Sequence, residues 1–162
     1  MLLSTWTSFF AAMVSASATL TGLIFVGISI NLNRILATPY LFNRGLESLI
    51  MLITILIVSA LCLVPGETPV LTGCEFLLLG GIIWMVTLLL DINMLKGTEK
   101  AYKRHSRQNI LFTQLAVLPY LISGIIVLNC GYSGLYWLIP GIIFSFIKAI
   151  MDAWVLLVEI NR

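Results

Sequence analysis

The sequence predicts an all-α fold, an integral membrane bundle of five transmembrane helices. Of the 162 residues, 60% are hydrophobic and only 10% are charged, whereas soluble domains carry about 25% charged residues. Five apolar runs are each about 20 residues long, the length at which a helix crosses ~30 Å of hydrocarbon. They cover approximately residues 6–32, 46–64, 71–95, 110–128 and 134–158. The whole chain, 1–162, is therefore expected to form one transmembrane domain.

Length and lipid chemistry, rather than periodicity, identify these runs as helices. The runs are apolar on most faces, but strands rarely exceed about eight residues, and a lone segment in lipid satisfies its backbone only as a helix. Thr38 and Pro39 are typical of an N-cap and a first helical turn, so a helix is expected to begin there and lead through the second run. Pro65 with Gly66, and later Gly131, favour turns between runs.

The basic residues fall on one side of the predicted bundle. Arg34 and Arg44 lie between the first and second runs, five more lie in the loop 96–107, and Arg162 ends the chain. The N-terminal segment and the turns after the second and fourth runs contain none. Because basic loops stay in the cytoplasm, we expect a multi-pass protein of the inner (plasma) membrane, with the N-terminus outside and the C-terminus in the cytoplasm.

Ionisable residues inside the fifth run are the strongest functional signal. Lys148 and Asp152 are four residues apart, so they share a helix face and can pair directly. A pair of this kind is either a structural device that holds helices in register or part of a path for a solute or proton. Asp91 is a second candidate partner for Lys148. The transport candidates, from the fifth run and a matching stripe on the third, are Lys148, Asp152, Ser145, Asp91 and Thr87.

Small and weakly polar residues recur along the first run with a seven-residue repeat. Small residues let helix backbones approach closely, and hydroxyl groups can hydrogen-bond across the contact. The stripe therefore predicts either tight packing against a neighbouring helix or the lining of a pore between several copies. Its members are Ser8, Ser15, Thr19, Gly22, Ser29 and Asn33. The second run has few polar residues and is expected to face lipid.

The three cysteines, Cys62, Cys74 and Cys130, lie near the predicted outer surface. Cysteine packs well as a small apolar residue, and the outer side of a bacterial membrane also permits a disulfide such as Cys62–Cys74. The sequence leaves both interpretations open. The cysteines do not have the spacing of a metal site.

The five predicted crossings are expected to leave no soluble domain, and this restricts the classes of function that the sequence predicts. The only histidine, His105, lies in a loop, and we expect no enzyme, no cofactor and no metal site. A net charge of +2 is no signal for nucleic acid. We expect a homo-oligomeric pore or channel-like protein that passes ions or small solutes through the lipid bilayer. The alternative is a non-catalytic scaffold or regulatory subunit, with a protein partner at the cytoplasmic loop 96–107.

Two stretches, 18–32 and 153–160, resemble small multi-pass membrane proteins of bacteria. The first reads ATLTGLIFVGISINL and the second AWVLLVEI, and together they cover about a seventh of the chain. The resemblance implies a bacterial membrane location. It implies no particular activity, so no residue role is carried over from it.

Overall fold

The described part of the chain is helical apart from short turns and contains no strand. In this computed structural model the backbone is described for residues 2–37, 39–97 and 103–160, and the side chains for residues 6–37, 41–94 and 108–158. The loop 96–107, with His105, was expected to contact a partner and lies outside the described side chains. The predicted N-cap Thr38 also lies outside the described residues.

Six α-helices and one 3₁₀ helix follow one another along the described residues. In order they are α1 (Leu2–Ile30), α2 (Leu32–Leu36), α3 (Pro39–Leu61), α4 (Pro69–Gly97), α5 (Lys103–Cys130), the 3₁₀ helix (Gly131–Trp137) and α6 (Leu138–Ile160). Pro39 opens α3, as its fixed φ and missing N–H favour at a first helical position. Pro119 lies inside α5, which continues through it.

Four helical segments of the described chain are long and apolar enough to cross a membrane. They are Trp6–Ile30, Leu41–Leu61, Pro69–Met94 and Gln108–Val158. The last is 51 residues long and contains most of α5, the 3₁₀ helix and most of α6. The sequence predicts two separate crossings in this stretch, so the expected five crossings are one more than these four segments. The architecture fits a multi-pass transmembrane protein.

The turns depend on glycine at two positions. Gly66, between α3 and α4, has a φ of +81°, and Gly131, at the end of α5, has a φ of +66°. Both angles lie in the left-handed region, where a Cβ atom is unfavourable and glycine is not. Near the second turn, the Ser123 hydroxyl donates to the Gly134 carbonyl at 2.9 Å, and this bond ties the 3₁₀ helix back to α5.

Helix α3 is the most buried of the four apolar segments, and the prediction that it faces lipid is wrong. Met51, Leu52, Ile55 and Val58 are at most 2% exposed, and α3 contacts α1, α4 and α6. Apolar content inside the run 46–64 does not distinguish a lipid-facing helix from a core helix, because lipid and protein interior are both apolar. The polar residues that reveal its position, Arg44 and Glu47, lie at the beginning of α3.

Helices α4 and α5 pack closely through glycines. A Cβ atom on Gly73 would lie 2.7 Å from Leu128 Cγ, and one on Gly124 would lie 3.0 Å from the backbone nitrogen of Leu77. Such approaches occur where small residues let two membrane helices come together. The contact fixes the register of α4 against α5, and thereby the relative heights of their polar residues.

A buried charged cluster as the candidate functional site

Five ionisable side chains and one amide converge between α3, α4, α5 and α6. None of these residues is more than 7% exposed. They come from the beginning of α3, the end of α4, the beginning of α5 and the second half of α6. We call this group the charged cluster; its members are Arg44, Glu47, Asp91, Asn109, Lys148 and Asp152.

Lys148 pairs with two carboxylates from different helices. Its Nζ atom lies 2.8 Å from Glu47 Oε2, and it also forms an ion pair with Asp152 one turn further along α6. The first contact joins α6 to α3, and the second is the pairing that the four-residue spacing predicts. An ammonium group provides three donors, so it can serve both carboxylates at once.

Asp152 is shared by two cations. Arg44 Nη1 lies 3.0 Å from Asp152 Oδ1, while Lys148 contacts Oδ2. Arg44 therefore joins α3 to α6 in parallel with the Glu47–Lys148 contact. Next to this pair of ionic contacts, the Ser48 hydroxyl donates to the Ala149 carbonyl at 3.0 Å. Three polar contacts thus hold the start of α3 against α6.

Asn109 connects the ionic contacts to α4. Its Nδ2 atom donates to Glu47 Oε2 at 3.2 Å and to Asp91 Oδ1 at 3.5 Å. The second distance is long for an N–H···O bond, so Asp91 is held less firmly than the other carboxylates. Asp91 is only 1% exposed and forms no ion pair among the described side chains. It is not the second partner that the sequence predicts for Lys148; Glu47 takes that position.

The cluster contains an excess of negative groups. Two cations, Arg44 and Lys148, face three carboxylates, Glu47, Asp91 and Asp152, so full ionisation gives a formal charge of −1. Among the described residues, Glu47 Oε1 and Asp91 Oδ2 are buried oxygens that accept no hydrogen bond. Breaking a buried ion pair typically costs about 3–5 kcal/mol, and an unmatched carboxylate in such a site carries a comparable penalty. The arrangement therefore favours binding of one positive charge.

The other transport candidates lie near the cluster along the chain but outside its ionic contacts. Ser145 is buried and its hydroxyl is 3.1 Å from the Tyr120 hydroxyl, a contact that joins α6 to α5. Thr87 is buried and donates to the Ile83 carbonyl of its own helix at 2.9 Å. Their proposed role in transport remains a prediction.

Arg44 and Glu47 are the site residues that the sequence analysis missed. Arg44 counts there only as a basic residue of the loop after the first run, and Glu47 has no assigned role. A signal was present: the two are three residues apart, hence on one helix face, within about three turns after Pro39. Asn109 has a weaker signal: it lies four residues before Thr113, so the two polar residues share one helix face at the start of the fourth run.

The stripe of small residues, which follows α1 and ends at Asn33 in α2, lies on the surface. Its members Ser8, Ser15, Thr19, Gly22, Ser29 and Asn33 are all exposed. Ser15, Thr19 and Ser29 donate their hydroxyls to carbonyls of their own helix at 2.8–3.0 Å, and a Cβ atom on Gly22 would meet nothing within 4 Å. The stripe therefore does not pack against a neighbouring helix of the described chain. The cysteines are free thiols, with Cys62 buried and Cys74 and Cys130 exposed.

Comparisons with known proteins assign no family to the chain. It matches no family model, no curated protein and no solved structure.

Proposed function

We propose that the chain is a homo-oligomeric, channel-like membrane protein that passes ions or small solutes, with the charged cluster as its ion-handling element. One observation carries the proposal: five ionisable side chains, each at most 4% exposed, meet inside apolar segments with a formal charge of −1. Ionisable residues in membrane helices are expensive and commonly mark ion and proton pathways. A structural pair needs one cation and one anion, whereas this cluster has a third, unmatched carboxylate.

We infer five crossings, with Gln108–Val158 forming two. A straight helix of 51 residues would be ~75 Å long, far more than the ~30 Å of hydrocarbon. Helices α5 and α6, which the 3₁₀ helix connects, contact each other, and these contacts support a hairpin of two crossings. With five crossings, the basic loops lie on one side of a bacterial inner membrane, the N-terminus lies outside and the C-terminus lies in the cytoplasm.

Self-association would use the exposed face of α1. Only 11% of an 18-residue apolar stretch of this helix is buried inside the protein, against 56% of the corresponding stretch of α3. The face combines small residues, which allow close approach between membrane helices, with hydroxyl groups already bonded to their own backbone. A second copy that packs here needs no new polar partners, and the solute path would then lie beside or within each bundle.

Reconstitution in liposomes tests the proposal directly. Purified protein should release a gradient of protons, monovalent cations or chloride faster than protein-free liposomes and faster than the same protein reconstituted after heat unfolding. A folded, oligomeric preparation that moves none of these species would contradict the proposal. The leading account would then be the non-catalytic membrane subunit, and the complex isolated from native membranes would contain a second protein.

Cysteine cross-linking tests the proposed interface. In a variant with Cys62, Cys74 and Cys130 replaced by alanine, Gly22→Cys places a thiol on the exposed face of α1, and oxidation should give a covalent dimer. Ser17→Cys on the same helix is the matched control because Ser17 is 0% exposed; it should give none. Equal cross-linking of both variants, or of neither, would argue against α1 as the interface.

A further inference from the structure

We propose that Glu47 and Asp91 form a proton-binding site, in which the two carboxyl groups hold one proton between them beside the Asn109 amide. The inference deepens the proposed function by naming the ion that the cluster handles, and only its link to transport rests on that function. The binding site itself follows from the contacts of α3, α4 and α5.

The two cations of the charged cluster form their ion pairs with Glu47 and Asp152. Both ion pairs of Lys148 go to Glu47 and Asp152, and the Arg44 ion pair goes to Asp152. Asp152 is thereby matched twice, Glu47 once, and Asp91 not at all among the described side chains. The unmatched negative charge lies on the Asp91 side of the cluster, next to Glu47.

Glu47 and Asp91 share one hydrogen-bond donor, the Asn109 amide. One atom, Asn109 Nδ2, contacts Glu47 Oε2 at 3.2 Å and Asp91 Oδ1 at 3.5 Å, so the two carboxyl groups are immediate neighbours. Two ionised carboxylates sharing one site repel each other, and this repulsion favours protonation of one of them.

Each of the two carboxyl groups has one buried oxygen without a donor. Glu47 Oε1 and Asp91 Oδ2 accept no hydrogen bond from the described residues, while each residue is at most 1% exposed. A proton turns one carboxylate into a hydroxyl donor, and we expect this donor to hydrogen-bond to the other carboxylate. The same proton brings the formal charge of the cluster to zero.

A proton fits this site better than a metal ion. The described residues contain no group of three or more His, Cys, Asp or Glu side chains placed to hold a metal ion, and the Lys148 ammonium already lies 2.8 Å from Glu47. Among the described side chains, the charged groups facing the pair are Arg44 from α3 and Lys148 and Asp152 from α6; α5 contributes the neutral Asn109. The arrangement therefore accepts one additional positive charge of the smallest size, which is a proton.

Infrared spectroscopy of the purified protein near pH 7 tests the site without measuring transport. The wild type should show the C=O stretching band of a protonated carboxylic acid, shifted in D₂O. Asp91→Asn and Glu47→Gln should each remove at least half of that band. Glu75→Gln is the matched control, because Glu75 is another acidic residue of α4 with a buried oxygen that accepts no hydrogen bond from the part of the chain that the structure describes; it should leave the band unchanged.

Isotope labelling makes the result independent of the folding of the variants. In wild-type protein, ¹³C in the side-chain carboxyls of aspartate or of glutamate should shift the band, because the proton is shared between one residue of each kind. A wild type with no such band, or a band lost only in Glu75→Gln, would overturn the site even if ions cross the liposomes. A band with the expected behaviour but no flux would retain the site and overturn the proposed function.

Discussion

At the scale of single residues, the charged cluster depends on Asp152. This carboxylate accepts from Arg44 at 3.0 Å and also pairs with Lys148, and the residue is 1% exposed. Neutralising Asp152 leaves the two buried cations, Arg44 and Lys148, with Glu47 as the one carboxylate that still forms an ion pair among the described side chains. When a buried ion pair loses one partner, the remaining charge is uncompensated. Burying this single charge costs more free energy than burying the intact pair.

We therefore expect Asp152→Asn to lower the free energy of unfolding by about 3–5 kcal/mol. The measurement is thermal or denaturant unfolding in detergent, followed by helical circular dichroism. Glu67→Gln is the control: Glu67 lies in the turn before α4, and among the described residues its side chain accepts only a Thr72 hydroxyl bond at 3.2 Å, so a change below about 1 kcal/mol is expected. Equal stability of Asp152→Asn and the wild type would contradict the described contacts.

The sequence predicts the cluster only where its contacts are local. The Lys148–Asp152 pair follows from a four-residue spacing on one helix. The partner from another helix is Glu47 rather than Asp91, because the choice depends on the register of α3 and α4 against α6. That register is set by side-chain packing, which a single sequence does not display.

At the scale of helices, the contact between α4 and α5 depends on the absence of a side chain at Gly124. A Cβ atom there would lie 2.9 Å from Leu77 Cγ and 3.0 Å from its backbone nitrogen. The backbone cannot move aside as a flexible side chain can. This contact holds α5 in position to present Asn109 to the cluster.

Gly124→Ala is expected to destabilise the protein by about 1–3 kcal/mol, as overpacking of a close contact does. Gly81→Ala is the matched control because Gly81 also lies in a helix, and a Cβ atom there would meet nothing within 4 Å. Alanine is the better helix former by about 0.5–1 kcal/mol, so the control should be neutral or stabilising. Unfolding in detergent measures both; a Gly124→Ala protein as stable as Gly81→Ala would contradict the described packing.

The helices themselves are largely predictable, since length and apolar content are local properties of the sequence. Pro39 correctly marks the beginning of α3, and Gly131 marks the end of α5. Which helix is central is not predictable in this way. α3 is nearly as apolar as the others, and its position in the core becomes evident only from the buried Arg44 and Glu47, at the beginning of the helix.

At the scale of the whole molecule, the charged cluster and the aromatic contacts occupy opposite ends of the bundle. Trp6 stacks edge-on against Tyr136 with ring centroids 5.0 Å apart, and the Tyr132 hydroxyl donates to the Glu67 carbonyl at 2.5 Å. These contacts tie α1 and the α3–α4 turn to the 3₁₀ helix. The proposed orientation puts this aromatic end outside and the cluster toward the cytoplasm.

Thiol labelling of intact cells tests this orientation. With Cys62 and Cys74 replaced by alanine, the exposed Cys130 should react with a membrane-impermeant maleimide added outside. In a cysteine-free background, Arg34→Cys, at another exposed position, should react only after the membrane is permeabilised. The reverse pattern of labelling would place the N-terminus in the cytoplasm.

The central claim is that the charged cluster handles the ion that crosses the membrane. Its most direct test is proton flux into liposomes, measured side by side for the wild type, Asp91→Asn and Glu75→Gln. Both variants neutralise one acidic residue of α4, but only Asp91 belongs to the cluster. We predict at least tenfold slower flux for Asp91→Asn and unchanged flux for Glu75→Gln, with both proteins folded. Flux that is equal in all three proteins would contradict the claim and move the path to the exposed face of α1.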